Sequence, residues 1–181
     1  IGVPSASATF VGMDLQTQGN WRGRYGSEGY LLANLAELRP EYLSISGNGA
    51  WSFTWDTDTL DPRGLQSAQD GSRTAACWVG VPSLVFDFSL NDGLPHFVSC
   101  YLVDWDSIHR RQTITVLDAG TGSVLDSRDT GGFHDGQYLT WLVTGTVRFV
   151  VRQAASGVNV VTSGIFFDGY STPPPTVAPS V

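Results

Sequence analysis

Polar and apolar residues alternate with a period of two along most of this chain. In Ser83–Leu90, Leu84, Phe86, Phe88 and Leu90 share one face, and Val85, Asp87 and Ser89 share the other. Ile114 and Val116 oppose Thr113, Thr115 and Leu117, while Val147, Phe149 and Val151 oppose Arg148, Val150 and Arg152. Successive side chains on a strand point to opposite faces, so the pattern predicts half-buried strands. Residues 96–103 are apolar on both faces, which predicts a central strand covered on both sides. Further strands are expected over 8–13, 29–33, 42–46, 51–55, 74–79, 123–127, 138–143 and 159–167. Turn signals separate them at Gly47-Asn48-Gly49, Asn91-Asp92-Gly93, residues 118–122 and Gly131-Gly132. The nearest approach to a helical stripe, 31–38, is short and stops at Arg39-Pro40. Ten or more short strands without helices predict an all-β fold, a two-sheet, mainly antiparallel β-sandwich. Phe86, Phe88, Val98, Cys100, Ile114, Val116, Val147, Phe149 and Phe166 are its expected core. The sandwich is expected to occupy 1–168. Proline-rich residues 169–181 read as a semi-rigid linker or tail.

Composition narrows the partners. With 181 residues and 41% hydrophobic content, the chain supports one well-cored domain. All ten basic residues are arginine, and seventeen acidic residues give a net charge of −7, which argues against nucleic acid as a partner. No segment approaches the roughly 18 continuous apolar residues of a spanning helix, so no membrane partner is expected. The first residues lack a basic-then-apolar leader, which reads as a removed signal or an excised module. The lysine-free, Ser/Thr/Gly-rich composition fits a secreted, extracellular domain. Cys77 and Cys100 allow either a disulfide, worth about 3 kcal/mol by loop closure, or two buried thiols.

Catalytic patterns are weak. His96, His109 and His134 sit in no nucleophile or metalloprotease motif, and each reads as an ordinary surface or turn residue. Acidic residues form two knots, Asp56/Asp58/Asp61 and Asp104/Asp106. Two carboxylates across a cleft are needed for glycoside hydrolysis, and acids two apart on one strand point the same way. The first knot is the candidate structural calcium site, with Asx-turn chemistry as its alternative. Arg110-Arg111, beside the second knot, reads as a surface ion cluster.

Two segments carry rings in positions suited to recognition. Residues 17–30 place Trp21, Tyr25 and Tyr30 beside Arg22 and Arg24 among four glycines. Such a loop either anchors its rings in the core or presents Trp21, Arg22, Arg24 and Tyr25 to a sugar, with the arginines forked toward hydroxyls or a uronate. Trp51, Phe53 and Trp55 share one strand face, as core or as a stacking platform.

Taken in order, Thr17-Gln18-Gly19-Asn20-Trp21, Tyr25-Gly26 with Gly29-Tyr30, Arg63-Gly64-Leu65-Gln66, Arg73-Thr74-Ala75-Ala76-Cys77-Trp78, Asp104-Trp105-Asp106 and Ser163-Gly164-Ile165-Phe166-Phe167 form a recurrent set. Over residues 10–167 the chain resembles a domain found in large secreted bacterial proteins, often beside glycoside hydrolase or fibronectin type III modules. Such domains are similar to jelly-roll, galactose-binding-like modules, a class that includes many carbohydrate-binding modules. The resemblance implies a monomeric, non-catalytic module that binds polysaccharide or oligosaccharide and targets an attached catalytic or fibronectin-like domain, with no required cofactor. Two rival readings remain: a structural spacer or adhesion domain, and a glycosidase or lyase using the acidic knots.

Overall fold

The structure, a computed structural model, describes residues 5–47, 51–154 and 159–175. Among these residues every regular element is a strand, β1 to β15 in chain order. One sheet has six strands in the order β1 (Ser7–Asp14), β12 (Gln137–Thr144), β9 (His96–Leu102), β15 (Gly164–Gly169), β2 (Gly29–Leu32) and β3 (Ala36–Leu38). The second runs β11 (Val124–Gly132), β10 (Arg111–Asp118), β13 (Thr146–Gln153), β8 (Ser83–Leu90), β4 (Leu43–Gly47). A smaller sheet joins β14 (Val160–Thr162), β7 (Arg73–Gly80) and β5 (Trp51–Asp56), with β6 (Leu65–Gln66) also paired to β7. Every strand pair is antiparallel. The fold is an all-β sandwich.

The main core lies where the two large sheets face each other. Leu84, Phe86, Phe88 and Leu90 of β8 point inward with Ile114, Val116, Val147 and Phe149, as their alternation predicts. They meet Val98, Cys100, Leu139, Trp141 and Phe167 of the six-stranded sheet. Phe88 packs edge-on to Phe167 with centroids 5.6 Å apart, and Trp141 meets Phe149 at 5.4 Å. All nine expected core residues are buried, although Phe166 points to the opposite face from Phe167. Cys77 and Cys100 are buried free thiols, and burial pushes each up to about 12. They behave as small apolar side chains.

Three elements differ from the sequence reading. Residues 159–167 make two strands because the chain changes sheets at Ser163, whose N–H donates to the Tyr101 carbonyl. Residues 31–38 form a hairpin turning at Asn34, which has φ +53°. The expected linker starts in contact with the sandwich: Tyr170, still largely exposed, stacks on Phe97 at 6.2 Å, and the Pro175 carbonyl oxygen lies 2.6 Å from the Tyr25 hydroxyl. Residues 176–181 of that linker, and Asn48-Gly49 of the first turn signal, lie outside the described residues.

Candidate functional site

β9 is buried along its whole length, so the outer face of the six-stranded sheet also needs a cover. Tyr101, Val103, Tyr138 and Phe166 form an apolar patch there, and Trp21, Tyr25 and Leu65 close over it. The glycine-rich segment is the cover. A Cβ at Gly19 would sit 1.9 Å from the Gly64 carbonyl oxygen, so glycine alone allows this close approach. Gly19 N–H donates to the Pro62 carbonyl at 2.8 Å, and Gln66 N–H donates back to Gly19.

This packing corrects the expected role of two residues. Trp21 is 4% exposed, donates through Nε1 to the Gln66 carbonyl at 2.8 Å, and packs on Tyr30 and Phe166. Tyr25 is 2% exposed and lies flat on Tyr138. Both rings are almost wholly taken up in covering the sheet and leave little surface for a sugar to stack on. Arg22 and Arg24 stay at the surface and border a concavity of about 490 Å³, to which the buried Trp21 and Tyr25 also contribute, so the four expected ligand residues do come together there.

The first acidic knot does not converge. Asp56 accepts the Asp58 N–H at 3.1 Å, and both oxygens of Asp61 accept from the Arg63 guanidinium at 2.8–3.1 Å. Arg63 holds the Asp61 carboxyl below the usual 3.8 and lies 4.6 Å above the Trp105 ring. Among the described residues no group of three or more His, Cys, Asp or Glu is placed to hold a metal ion. In this structure Asp56 caps a turn and Asp61 pairs with Arg63.

A larger concavity, about 690 Å³, opens between the small sheet and β8. Trp51 pairs opposite Val79 and Phe53 opposite Cys77, and directly opposed residues share a face. The β5 rings therefore stand beside an apolar floor that includes Cys77, Val79, Leu84 and Val161. Trp51 is 77% exposed and Phe53 53%, while Trp55 is half-buried and meets Phe53 edge-on at 6.0 Å. β5 is the edge strand of the small sheet, and Trp51 and Phe53 stand largely uncovered on it.

Arg110, Asp106 and Asn159 form the polar end of this cleft. Arg110 is buried, contrary to the surface cluster expected, and its Nη1 donates to Asp104 and, at 2.5 Å, to Asp106. Its Nε donates to Asn159 Oδ1 at 3.0 Å, and the guanidinium lies 5.9 Å from the Trp55 ring centre. Asp104 also accepts from the Ser107 hydroxyl and the Arg110 N–H. Burial opposes ionisation of Asp106, but the hydrogen bond and charge of Arg110 outweigh it and hold its pKa below 3.8. Asp106 is the one carboxylate on the described lining, so no second acid faces it.

His96 is likewise internal rather than a surface residue. Its ring nitrogens lie 2.9 Å from carboxylate oxygens of Glu28 and Asp92, and Tyr42 stacks on it at 3.8 Å. Two carboxylates flank one imidazole, a clamp between the β2 end of one sheet and the loop before β9. His134 donates through Nδ1 to the carbonyls of Asp104 and Ser107, which steadies the loop carrying the second knot.

The sequence marked the aromatic strip but missed Arg110 as its neighbour. The spacing of Asp106 and Arg110 was visible; their approach to Trp55 and Asn159 comes from separate segments.

No protein-family model matches the chain, and no curated protein matches its sequence significantly. Among solved structures the chain is similar to TmCBM61 in complex with β-1,4-galactotriose, at 15% identity and a TM-score of 0.33, over 71% of this chain and 85% of that one.

Proposed function

We propose that this chain is a non-catalytic carbohydrate-binding module whose ligand lies in the cleft beside β5. One observation carries the reading. Trp51 and Phe53 stand on one strand face, largely exposed, beside a concavity of about 690 Å³ that ends in Asp106, Arg110 and Asn159. Sugars present flat C–H faces that stack on rings and hydroxyls that need fixed polar partners. Exposed rings grouped at a concavity mark a binding surface more than a packing defect.

The rivals fit the site less well. A spacer gains nothing from uncovered rings, and a glycosidase needs a second carboxylate across the cleft from Asp106. In a parent protein the module would hold an attached catalytic or fibronectin-like domain against extracellular polysaccharide.

Affinity electrophoresis against galactan, mannan, xylan and mixed-linkage β-glucan tests the reading. Retention by at least one polymer, lost in Trp51→Ala with Phe53→Ala, is expected. If no polymer slows the wild-type chain, the carbohydrate reading fails.

A further inference from the structure

Resting on that reading, we propose that the cleft takes neutral glycans and rejects uronic-acid chains, with Asp106 as the discriminating residue. The charged side chains on its described lining are Asp106 and Arg110. Arg110 is turned inward: it is 7% exposed, donates to Asp104 and Asp106 through Nη1, and gives its Nε proton to Asn159. One buried cation is thus matched by two carboxylates. Asp104 is enclosed, with Ser107 and the Arg110 N–H on its remaining lone pairs.

The Asp106 side chain, by contrast, is 49% exposed and keeps acceptor capacity toward the cleft. A carboxylate there accepts hydrogen bonds from sugar hydroxyls, which neutral residues supply in number. A uronate brought beside it meets like charge with the local cation already spent. Like charges juxtaposed at an interface are strongly disfavoured. The arginines that sequence reading assigned to uronates, Arg22 and Arg24, border the other concavity.

The test starts from any neutral polysaccharide retained by the wild-type chain. It is compared with the same polymer carrying carboxylates, introduced by oxidising C6 hydroxyls or, where none is free, by light carboxymethylation. A hydroxyethylated sample controls for bulk. Only the retention removed by Trp51→Ala counts as cleft binding, which sets aside any contribution from Arg22 and Arg24. The neutral polymer is expected to bind about tenfold tighter or more than its carboxylated form. Asp106→Asn keeps the shape and an acceptor oxygen but removes the charge, and is expected to narrow that gap. Equal or tighter Trp51-dependent binding of the carboxylated polymer overturns the selectivity while leaving the carbohydrate reading intact. An unchanged gap in a folded Asp106→Asn chain overturns the role of Asp106. Failure of every neutral polymer overturns the carbohydrate reading and this inference with it.

Discussion

Tyr25 lies flat on Tyr138, with ring centroids 3.9 Å apart and planes 5° from parallel. Through this stack and the Trp21–Gln66 hydrogen bond, a segment with the composition of a recognition loop becomes a second layer of core.

Removing either ring therefore acts on stability. Trp21→Ala and Tyr25→Ala are each expected to cost about 3–5 kcal/mol, from lost transfer energy plus the cavity left behind. Tyr25→Phe keeps the stack and loses the hydroxyl contacts with Asp14 and Pro175, a change of about 1 kcal/mol. Urea unfolding would measure both, and a loss below 1 kcal/mol in the alanine variants would show that the cover contributes little.

Trp51 and Phe53 are expected to behave in the opposite way. Their alanine variants should change stability by no more than about 0.5 kcal/mol, because most of each ring already faces water. Glycan affinity should fall about tenfold or more, as for anchor rings at other interfaces. Calorimetric titration of the folded variants separates the two effects.

Asp104→Ala leaves the buried Arg110 guanidinium short of its most enclosed partner. Unpairing a buried charge of this kind costs about 3–5 kcal/mol. The measurement is again the shift in unfolding midpoint, with Asp106→Ala, at a more exposed carboxylate, expected to cost less.

Acid should weaken the fold through Asp14. Burial raises its pKa, but hydrogen bonds from Thr17, Gln16 and Tyr25 outweigh that and set it below the usual 3.8. A carboxyl lowered in the folded state contributes stability above 3.8 that is lost as pH falls through its folded value. Asp61 and Asp126 are lowered too, each with an arginine partner, and act in the same direction. Asp168 opposes them: burial raises it, so its contribution is present below 3.8 and is lost as pH rises through its folded value. The melting temperature should fall on acidification below 3.8, less steeply in Asp14→Asn; a flat profile there would contradict this account.

Calcium is expected to leave the melting curve unchanged, since Arg63 occupies both oxygens of Asp61. An ion bound to the folded state would raise the melting temperature by mass action. Such a rise, reversed by chelator, would return Asp56, Asp58 and Asp61 to the role of metal ligands.

Much of the sandwich was legible because its inner strands alternate cleanly, as in Leu84, Phe86, Phe88 and Leu90. The break at Ser163 was not, since Val160–Thr162 and Gly164–Gly169 have the same apolar character and differ only in the sheet they join. The fate of the rings was legible in part. Residues 96–103 are apolar on both sides, which implies a cover for each face, but not that Trp21 and Tyr25 supply one. Trp51, Phe53 and Trp55 look like any core-facing strand; that Trp51 and Phe53 stay exposed depends on how distant segments pack around β5. Arg110 reads as a surface charge until Asp104, Asp106 and Asn159 are brought around it.

The pairing of β1 with β12 also has a bearing on time. Ser7 lies opposite Thr144, joined through their hydroxyls across 137 positions of sequence. On the ribosome β1 thus waits for most of this domain before its partner exists, whereas β9 meets β15 across a shorter stretch, with Cys100 opposite Ile165. Loop-closure entropy comes before the contacts that offset it, so refolding should run on the millisecond-to-second scale of non-local β proteins. Until β12 arrives, the edge of β1 stands open, and the nascent chain is most prone to aggregate in that interval.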